Sequence, residues 1–169
     1  PGTGKTYTGA RVIKNLVDSG WHVGVVAQSH AVVENMLRGA IKAGLDQAQV
    51  GKKAPTQART DQLPWTELKD NRAIRSFLAG GADDGLGAGR LFGGTAWDFS
   101  NANRVLRGEL DLLVIDEAGQ FSLANTIAVG VSAQRLLLLG DPQQLPQVSQ
   151  GSHPEPVDGS ALGWLSDGR

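Results

Sequence analysis

Three short apolar runs, at residues 21–28, 110–115 and 135–139, constrain the fold of this chain most strongly. Runs of about four to eight residues are typical of buried strands, because helices are usually longer. Segments with apolar residues at helical spacing lie between them, such as the one that places Ile13 and Val17 on one face. This alternation predicts an α/β fold, in which helices cover both faces of a parallel sheet.

The composition fits one such domain. The chain has 169 residues, of which 40% are apolar, so it can bury a core. Cysteine is absent, which excludes disulfides and Cys-based zinc sites. No apolar run approaches the ~20 residues that cross a bilayer, and the chain does not start with a signal-peptide pattern. We therefore expect a cytoplasmic protein with no membrane partner.

Charge is distributed unevenly along the chain. Residues 1–60 carry 8 Lys and Arg against 3 Asp and Glu, and the remaining residues carry 8 against 14. A basic first third favours phosphate ligands, although ordinary solvated helix surfaces give the same excess. Residues 44–90 have the weakest pattern and are predicted to be an insertion or an irregular segment, with a mobile loop at residues 80–89.

The first motif is a glycine-rich loop that leads into a helix. Gly2, Thr3 and Gly4 can turn backbone N–H groups toward phosphate oxygens, and the start of the helix adds partial positive charge. Lys5 would reach the β- and γ-phosphates, and the Thr6 hydroxyl would bind Mg²⁺. The alternative is a glycine-rich turn followed by an exposed lysine.

The second motif is a pair of carboxylates at the end of the run at 110–115. Asp116 is the candidate Mg²⁺ ligand, and Glu117 is the candidate base that activates water. An acidic turn at the end of a strand is the simpler alternative.

The third motif follows the run at 135–139, where Gln144 can bond the γ-phosphate and sense its loss. A proline-rich surface loop is the alternative reading. Ligands of open α/β sheets bind at the carboxyl ends of the strands, so all three motifs should converge on one edge.

Taken in order, Gly-Thr-Gly-Lys-Thr, Asp-Glu-Ala-Gly-Gln and Gly-Asp-Pro-Gln-Gln-Leu-Pro resemble the motifs of superfamily 1 helicases, especially the 1B branch. The resemblance implies a RecA-like P-loop NTPase domain that uses ATP and Mg²⁺. It also implies a helicase that moves on single-stranded DNA or RNA. Residues 94–97, 116–120 and 150–154 look most similar to bacterial proteins that fuse a RecB-like nuclease module to such a helicase.

The resemblance assigns further roles. The motif that touches the bound strand corresponds to Gln28-Ser29-His30, in which Ser29 and His30 are the candidate phosphate donors. Thr95 matches a second strand-contacting motif, and Gln120 would lie near the γ-phosphate. Two of these residues have a structural alternative, namely a helix cap or packing histidine for His30 and a β-branched strand residue for Thr95. For Trp97, a buried core position is favoured over a base-stacking role.

Compared with the family, the strand expected before Pro1 is missing, so we expect a truncated first strand. A second RecA-like domain with an arginine finger is expected beyond Arg169. The chain is thus interpreted as a partial motor domain, inactive alone, of a longer ATP hydrolase. Two competing readings are a P-loop phosphotransferase and a nucleotide-gated nucleic-acid-binding module without turnover.

Overall fold

The computed structural model describes residues 4–54, 62–80, 89–141, 157 and 159–167. Six strands form one parallel sheet in the order β3-β2-β4-β1-β5-β6. The strands are β1 His22–Val26, β2 Val50–Lys53, β3 Thr66–Leu68, β4 Arg90–Gly94, β5 Leu112–Asp116 and β6 Leu136–Leu139. The helices are α1 Lys5–Asp18, α2 His30–Lys42, α3 Asn71–Ala79, α4 Ala96–Phe99, α5 Leu123–Gly130 and α6 Ala161–Asp167. The predicted α/β architecture is confirmed.

Side chains on alternate positions of the central strand enter two separate cores. Val23 and Val25 of β1 pack on the face that α1 and α2 cover, whereas Val26 belongs to the cluster on the other face. Ile13 and Val17 of α1 are fully buried in the first core, as the sequence predicts. Helices therefore lie on both faces, which leaves the strand ends open to solvent.

The carboxyl ends of the central strands are aligned. Val26 at the end of β1 pairs with Gly94 of β4 and with Ile115 of β5. Asp116, the next residue of β5, pairs with Leu139 at the end of β6. The residues that follow these strands are therefore placed at a single edge of the sheet, as predicted.

The segment at 44–90 is more regular than expected. Its described parts hold a 3-10 turn at Gln47–Gln49, the strands β2 and β3, and the helix α3. Since β2 pairs with β4 over three residues, the segment extends the central sheet and the irregular segment expected there was wrong for these residues. The loop predicted at 80–89 falls mostly outside the described residues.

The strand β6 is the last strand of the sheet on its side, as far as the described residues go. Its four leucines are only partly covered, and Leu136 is 44% exposed. The residues of the neighbouring strand β5 are all buried, so within this pair of strands the exposed apolar surface lies at β6.

No helix among the described residues is long and apolar enough to span a membrane.

Candidate nucleotide-binding site

The helix α1 starts at a glycine in a left-handed conformation. Gly4 has φ 71° and ψ 1°, and its carbonyl oxygen accepts a bond of 2.8 Å from Thr8 N. A side chain at Gly4 would meet no atom within 4 Å, so the backbone dihedral rather than space favours glycine here. No side chain caps α1, which leaves its first N–H groups available to an anion.

The end of β5 presents the two carboxylates. Asp116 is buried, with 8% of its surface exposed, and its Oδ1 accepts a bond of 2.9 Å from Glu117 N. Glu117 has φ 55° and ψ 41°, and is the one non-glycine with positive φ among the described residues. It initiates a 3-10 turn, Ala118–Gln120, in which Gln120 N donates to Glu117 O at 2.8 Å.

The loop that follows β6 touches this turn directly. A side-chain carbon built on Gly140 would lie 2.9 Å from the amide nitrogens of Ala118 and Gly119. That separation is too short for a real carbon, so only glycine allows the two backbones to come this close. The positions of Asp141 and Glu117 are therefore linked by backbone contact.

These elements enclose one cavity of about 440 Å³ at the carboxyl edge of the sheet. It is lined by Gly4, Lys5, Thr6, Tyr7, Val32, Asn35, Asp116, Glu117, Gly140 and Asp141. The first two predicted motifs thus meet in one space, together with the residues that begin the third.

Burial shifts the acidity of both carboxylates. It raises the pKa of Asp116, and the N–H of Glu117 and the charge of Lys5 oppose that rise. Burial also raises the pKa of Glu117, and the negative charge of Asp116 raises it further. Adjacent carboxylates whose ionised forms are disfavoured attract a cation, because an opposite charge stabilises those forms.

The residues present fit Mg²⁺ and a nucleotide. Thr6 and Asp116 offer the hard oxygen ligands that Mg²⁺ prefers, and Mg²⁺ usually takes few protein ligands beside phosphates and water. Within the described part of the chain, no group of three His, Cys, Asp or Glu forms a metal cage of its own. A left-handed glycine at the start of an uncapped helix suits phosphate oxygens.

Comparison with protein families gives a match to the AAA domain over residues 1–158. The chain belongs to the AAA domain family. Its sequence is 27% identical over 146 residues to the human DNA replication ATP-dependent helicase/nuclease DNA2, covering 86% of this chain and 14% of that protein. The DNA2 protein of the yeast Saccharomyces cerevisiae is 25% identical over 171 residues, and the match covers 99% of this chain and 10% of the relative.

The Arabidopsis thaliana helicase/nuclease JHS1 is 25% identical over 154 residues, covering 90% of this chain and 11% of the relative. This AAA domain therefore spans only a small part of the helicase/nucleases that it matches. Among solved structures, arterivirus nonstructural protein 10, a helicase in complex with DNA, matches with a TM-score of 0.54 and 19% identity. The match covers 91% of this chain and 30% of that one, and supports the predicted RecA-like fold.

Ser29 and His30 of the AAA domain lie outside the cavity, at the start of α2. The Ser29 hydroxyl caps the helix by accepting a bond of 3.3 Å from Val32 N. His30 Nδ1 lies 3.4 Å from Nζ of Lys52, which also pairs with Glu34 at 3.2 Å. Both residues thus have structural contacts, and both remain exposed.

Thr95 caps α4 after the end of β4. Its backbone N–H and its hydroxyl donate to Asp98 Oδ2 at 2.7 and 2.8 Å, and Asp98 also pairs with Arg104. The sequence favoured a buried position for Trp97, and this was wrong, because Trp97 is 72% exposed. Its position on the short helix α4 turns the ring outward rather than into a core.

The remaining predicted site residues are placed less directly. Gly2, Thr3 and Gln144 lie outside the described residues. Gln120 does not line the cavity, and its carbonyl oxygen accepts a bond of 2.9 Å from Gln28 Nε2.

Sequence reasoning missed three residues that line the cavity of the AAA domain and lie outside the three motifs, namely Tyr7, Val32 and Asn35. Tyr7 directly follows Thr6, so extending the first motif by one residue would have found it. Gly140 and Asp141 belong to the third motif, although the sequence assigned no role to either. Val32 and Asn35 lie in α2, far from any motif residue of the cavity in sequence, and no local pattern identifies them.

Proposed function

We propose that this AAA domain binds and hydrolyses ATP within a longer helicase that moves on single-stranded nucleic acid. One observation carries the proposal: the cavity joins the start of α1 to the carboxylates at the end of β5. The proposed phosphate-binding donors, metal ligands and base therefore line one nucleotide-sized space, which supports the proposal.

The start of α1 would hold the phosphates. The N–H groups around Gly4 would donate to phosphate oxygens, and Lys5 would neutralise their charge. The same phosphate-binding role is proposed for Gly2 and Thr3. Thr6 and Asp116 would hold Mg²⁺, directly or through water. When bound, the metal supplies charge neutralisation at the β- and γ-phosphates.

Glu117 is the proposed base. Its carboxylate would take a proton from a water molecule as the water oxygen bonds to the γ-phosphorus. The bond from that phosphorus to the bridging oxygen breaks, which gives ADP and inorganic phosphate. The raised pKa of Glu117 makes it a better proton acceptor than an ordinary carboxylate. Gln144 and Gln120 are proposed to respond to the γ-phosphate.

Ser29, His30 and Thr95 are the proposed contacts to the strand backbone. The capping bond uses Ser29 only as an acceptor, so its O–H can still donate to a phosphate. His30 Nδ1 accepts from the Lys52 ammonium, so in the neutral ring the proton lies on Nε2 and can donate. None of these bonds involves a nucleobase. We therefore expect strand binding to depend on salt concentration but not on the nucleotide sequence.

The names of the relatives extend the proposal to the whole protein. Since they are described as DNA replication helicase/nucleases, we infer single-stranded DNA as the track and a fused nuclease module as a further part. The same proposal includes a second RecA-like domain, cytoplasmic localisation, and kinship with proteins that carry a RecB-like nuclease.

The decisive experiment measures ATP turnover of the full-length protein with and without single-stranded DNA or RNA. Glu117→Gln should lower stimulated turnover by about 10²–10⁴-fold while ATP binding persists. Glu67→Gln is the matched control, because Glu67 is an exposed residue of β3 at the opposite side of the sheet.

ATP turnover that neither single-stranded DNA nor RNA stimulates would contradict the helicase proposal and favour a phosphotransferase. Strand binding that depends on ATP but occurs without turnover would favour a nucleotide-gated binding module.

A further inference from the structure

A side-chain hydrogen bond connects the segment of the proposed strand-binding residues to the turn that carries the proposed base. Gln28 follows β1 and directly precedes Ser29 and His30. Its Nε2 donates to Gln120 O at 2.9 Å, across 92 residues of sequence. The bond therefore joins the segment after β1 to the segment after β5.

The accepting carbonyl belongs to the turn that Glu117 initiates. Gln120 N bonds Glu117 O at 2.8 Å, and Phe121 N bonds Ala118 O at 3.3 Å. Glu117 itself has a left-handed backbone, which L-residues adopt only when their surroundings impose it. The orientation of Glu117 thus depends on what anchors this short turn, and Gln28 is one of its anchors.

Gln28 does not line the nucleotide cavity. It is partly buried between the two segments, whereas Ser29 and His30 beside it are exposed. Its amide acts on the turn rather than on a nucleotide, which fits a positioning residue and not a catalytic one.

We propose that Gln28 couples strand binding to ATP hydrolysis by holding the Ala118–Gln120 turn in the form that orients Glu117. This inference rests on the proposed helicase function. Single-stranded nucleic acid bound at Ser29 and His30 restricts the backbone around Gln28. Because Gln28 is bonded to Gln120, the turn is then restricted as well. Strand binding then favours the turn conformation that is competent for hydrolysis.

The test uses Gln28→Leu and Gln28→Glu in the full-length protein. Leucine removes the donor, and ionised glutamate keeps the shape but cannot donate. We expect stimulation by single-stranded DNA, measured as the ratio of stimulated to basal kcat, to fall about tenfold in both variants, as for a typical coupling. KM for ATP and Kd for single-stranded DNA should each change by less than about twofold.

Gln49→Leu is the matched control. Gln49 Nε2 also donates to a backbone carbonyl, that of Gly89 at 3.1 Å, but it does so at the amino ends of the strands. The control removes the same kind of bond far from both proposed sites, so its stimulation ratio should equal that of the wild type. Melting temperatures identify any variant that is unfolded, and the two Gln28 substitutions provide independent chances of a folded protein.

Three results would overturn the inference. An unchanged ratio in folded Gln28 variants would show that the bond carries no coupling. A higher Kd for single-stranded DNA, with full stimulation at saturating DNA, would show that Gln28 contacts the bound strand instead. A wild-type protein that DNA does not stimulate would remove the proposed function as well, whereas the first two results leave that function intact.

Discussion

Glu117 combines a proposed chemical role with an unfavourable backbone conformation. The left-handed region costs an L-residue roughly 1–2 kcal/mol, and glycine avoids this penalty. We expect Glu117→Gly to be more stable than Glu117→Ala by about 1 kcal/mol, measured by urea unfolding. Both variants lack the carboxylate, so their difference reports the backbone alone.

The same pair of substitutions at Thr8 provides the control. Thr8 lies in the helix α1 with an exposed side chain, where glycine is less stable than alanine by about 1 kcal/mol. The difference in stability between the glycine and alanine variants should therefore have opposite signs at positions 117 and 8. A glycine penalty at position 117 would show that Glu117 is not held in the left-handed form.

Asp116 should make folding stability depend on pH. Its pKa is raised in the folded state above the ordinary value of 3.8, chiefly by burial, so its ionised form disfavours folding. The unfolding free energy of the wild type should fall as pH rises from below 3.8 through the raised folded pKa, and then level off. Asp116→Asn removes this loss while keeping an oxygen for Glu117 N, so it should be more stable than the wild type at neutral pH.

Urea unfolding of both proteins without Mg²⁺, from pH 3 to 7, would check this (about one measurement per pH unit resolves a single titration). The advantage of Asp116→Asn should be smallest at the acid end. An advantage of constant size across the range would contradict a titrating Asp116.

At the scale of elements, a buried lysine fastens the strand β2 to the helix α2. Lys52 is 4% exposed and contacts Glu34 and His30, both in α2. We expect Lys52→Met to lower the unfolding free energy by about 3 kcal/mol, because one partner of a buried ion pair is lost. Adding Glu34→Gln to that variant should recover part of the loss, since the unpaired carboxylate is then gone.

Lys53→Met is the control for this prediction. Lys53 is the next residue of β2, and its Nζ donates to the carbonyl of Lys69 at 2.9 Å. Its loss should cost no more than about 0.5 kcal/mol, as for most surface substitutions. Equal losses at both positions, again by urea unfolding, would mean that Lys52 contributes no more than an ordinary strand lysine.

The contact between Lys52 and Glu34 explains why some strands could be predicted from the sequence and others could not. β1 and β5 are nearly all apolar, so their burial could be inferred locally. β2 reads Val-Gly-Lys-Lys, and the burial of Lys52 depends on Glu34, which lies 18 residues away in another element. Similarly, Thr95 caps α4 through the bond from its N–H to Asp98 Oδ2, which depends on the local fold of both residues.

For the whole molecule, the side of β6 that no other described strand covers predicts self-association. An uncovered strand with apolar side chains can pair with another chain, and a charge placed on it opposes such pairing. We expect oligomers of this 169-residue chain to increase with concentration in light scattering, and Leu136→Lys to reduce them. A strand of the longer protein that paired with β6 would also reduce these oligomers.

Leu106→Lys is the control, because Leu106 is 46% exposed and lies outside the sheet. If it reduces oligomers as much as Leu136→Lys does, general charge rather than the edge of β6 would be responsible.

The convergence of the site was predictable because it depends on topology. Parallel strands bring their carboxyl ends together, so Lys5, Asp116 and Asp141 could be assigned to one edge from their order alone. The bond from Gln28 to Gln120 and the position of Asn35 were not predictable, since each depends on the packing of elements distant in sequence. The roles assigned to Gly2, Thr3 and Gln144 stay predictions.

The two cores on opposite faces of the sheet have a consequence for how such a chain can evolve. Val25 and Val26 are neighbours in sequence, yet each packs with a different set of side chains. Substitutions that share no partners usually add in their effects, so those on one face need few compensating changes on the other. The helices α1 and α2, which line the candidate nucleotide site, and the helices on the other face can therefore diverge at separate rates. The strand backbones are the part that both faces share.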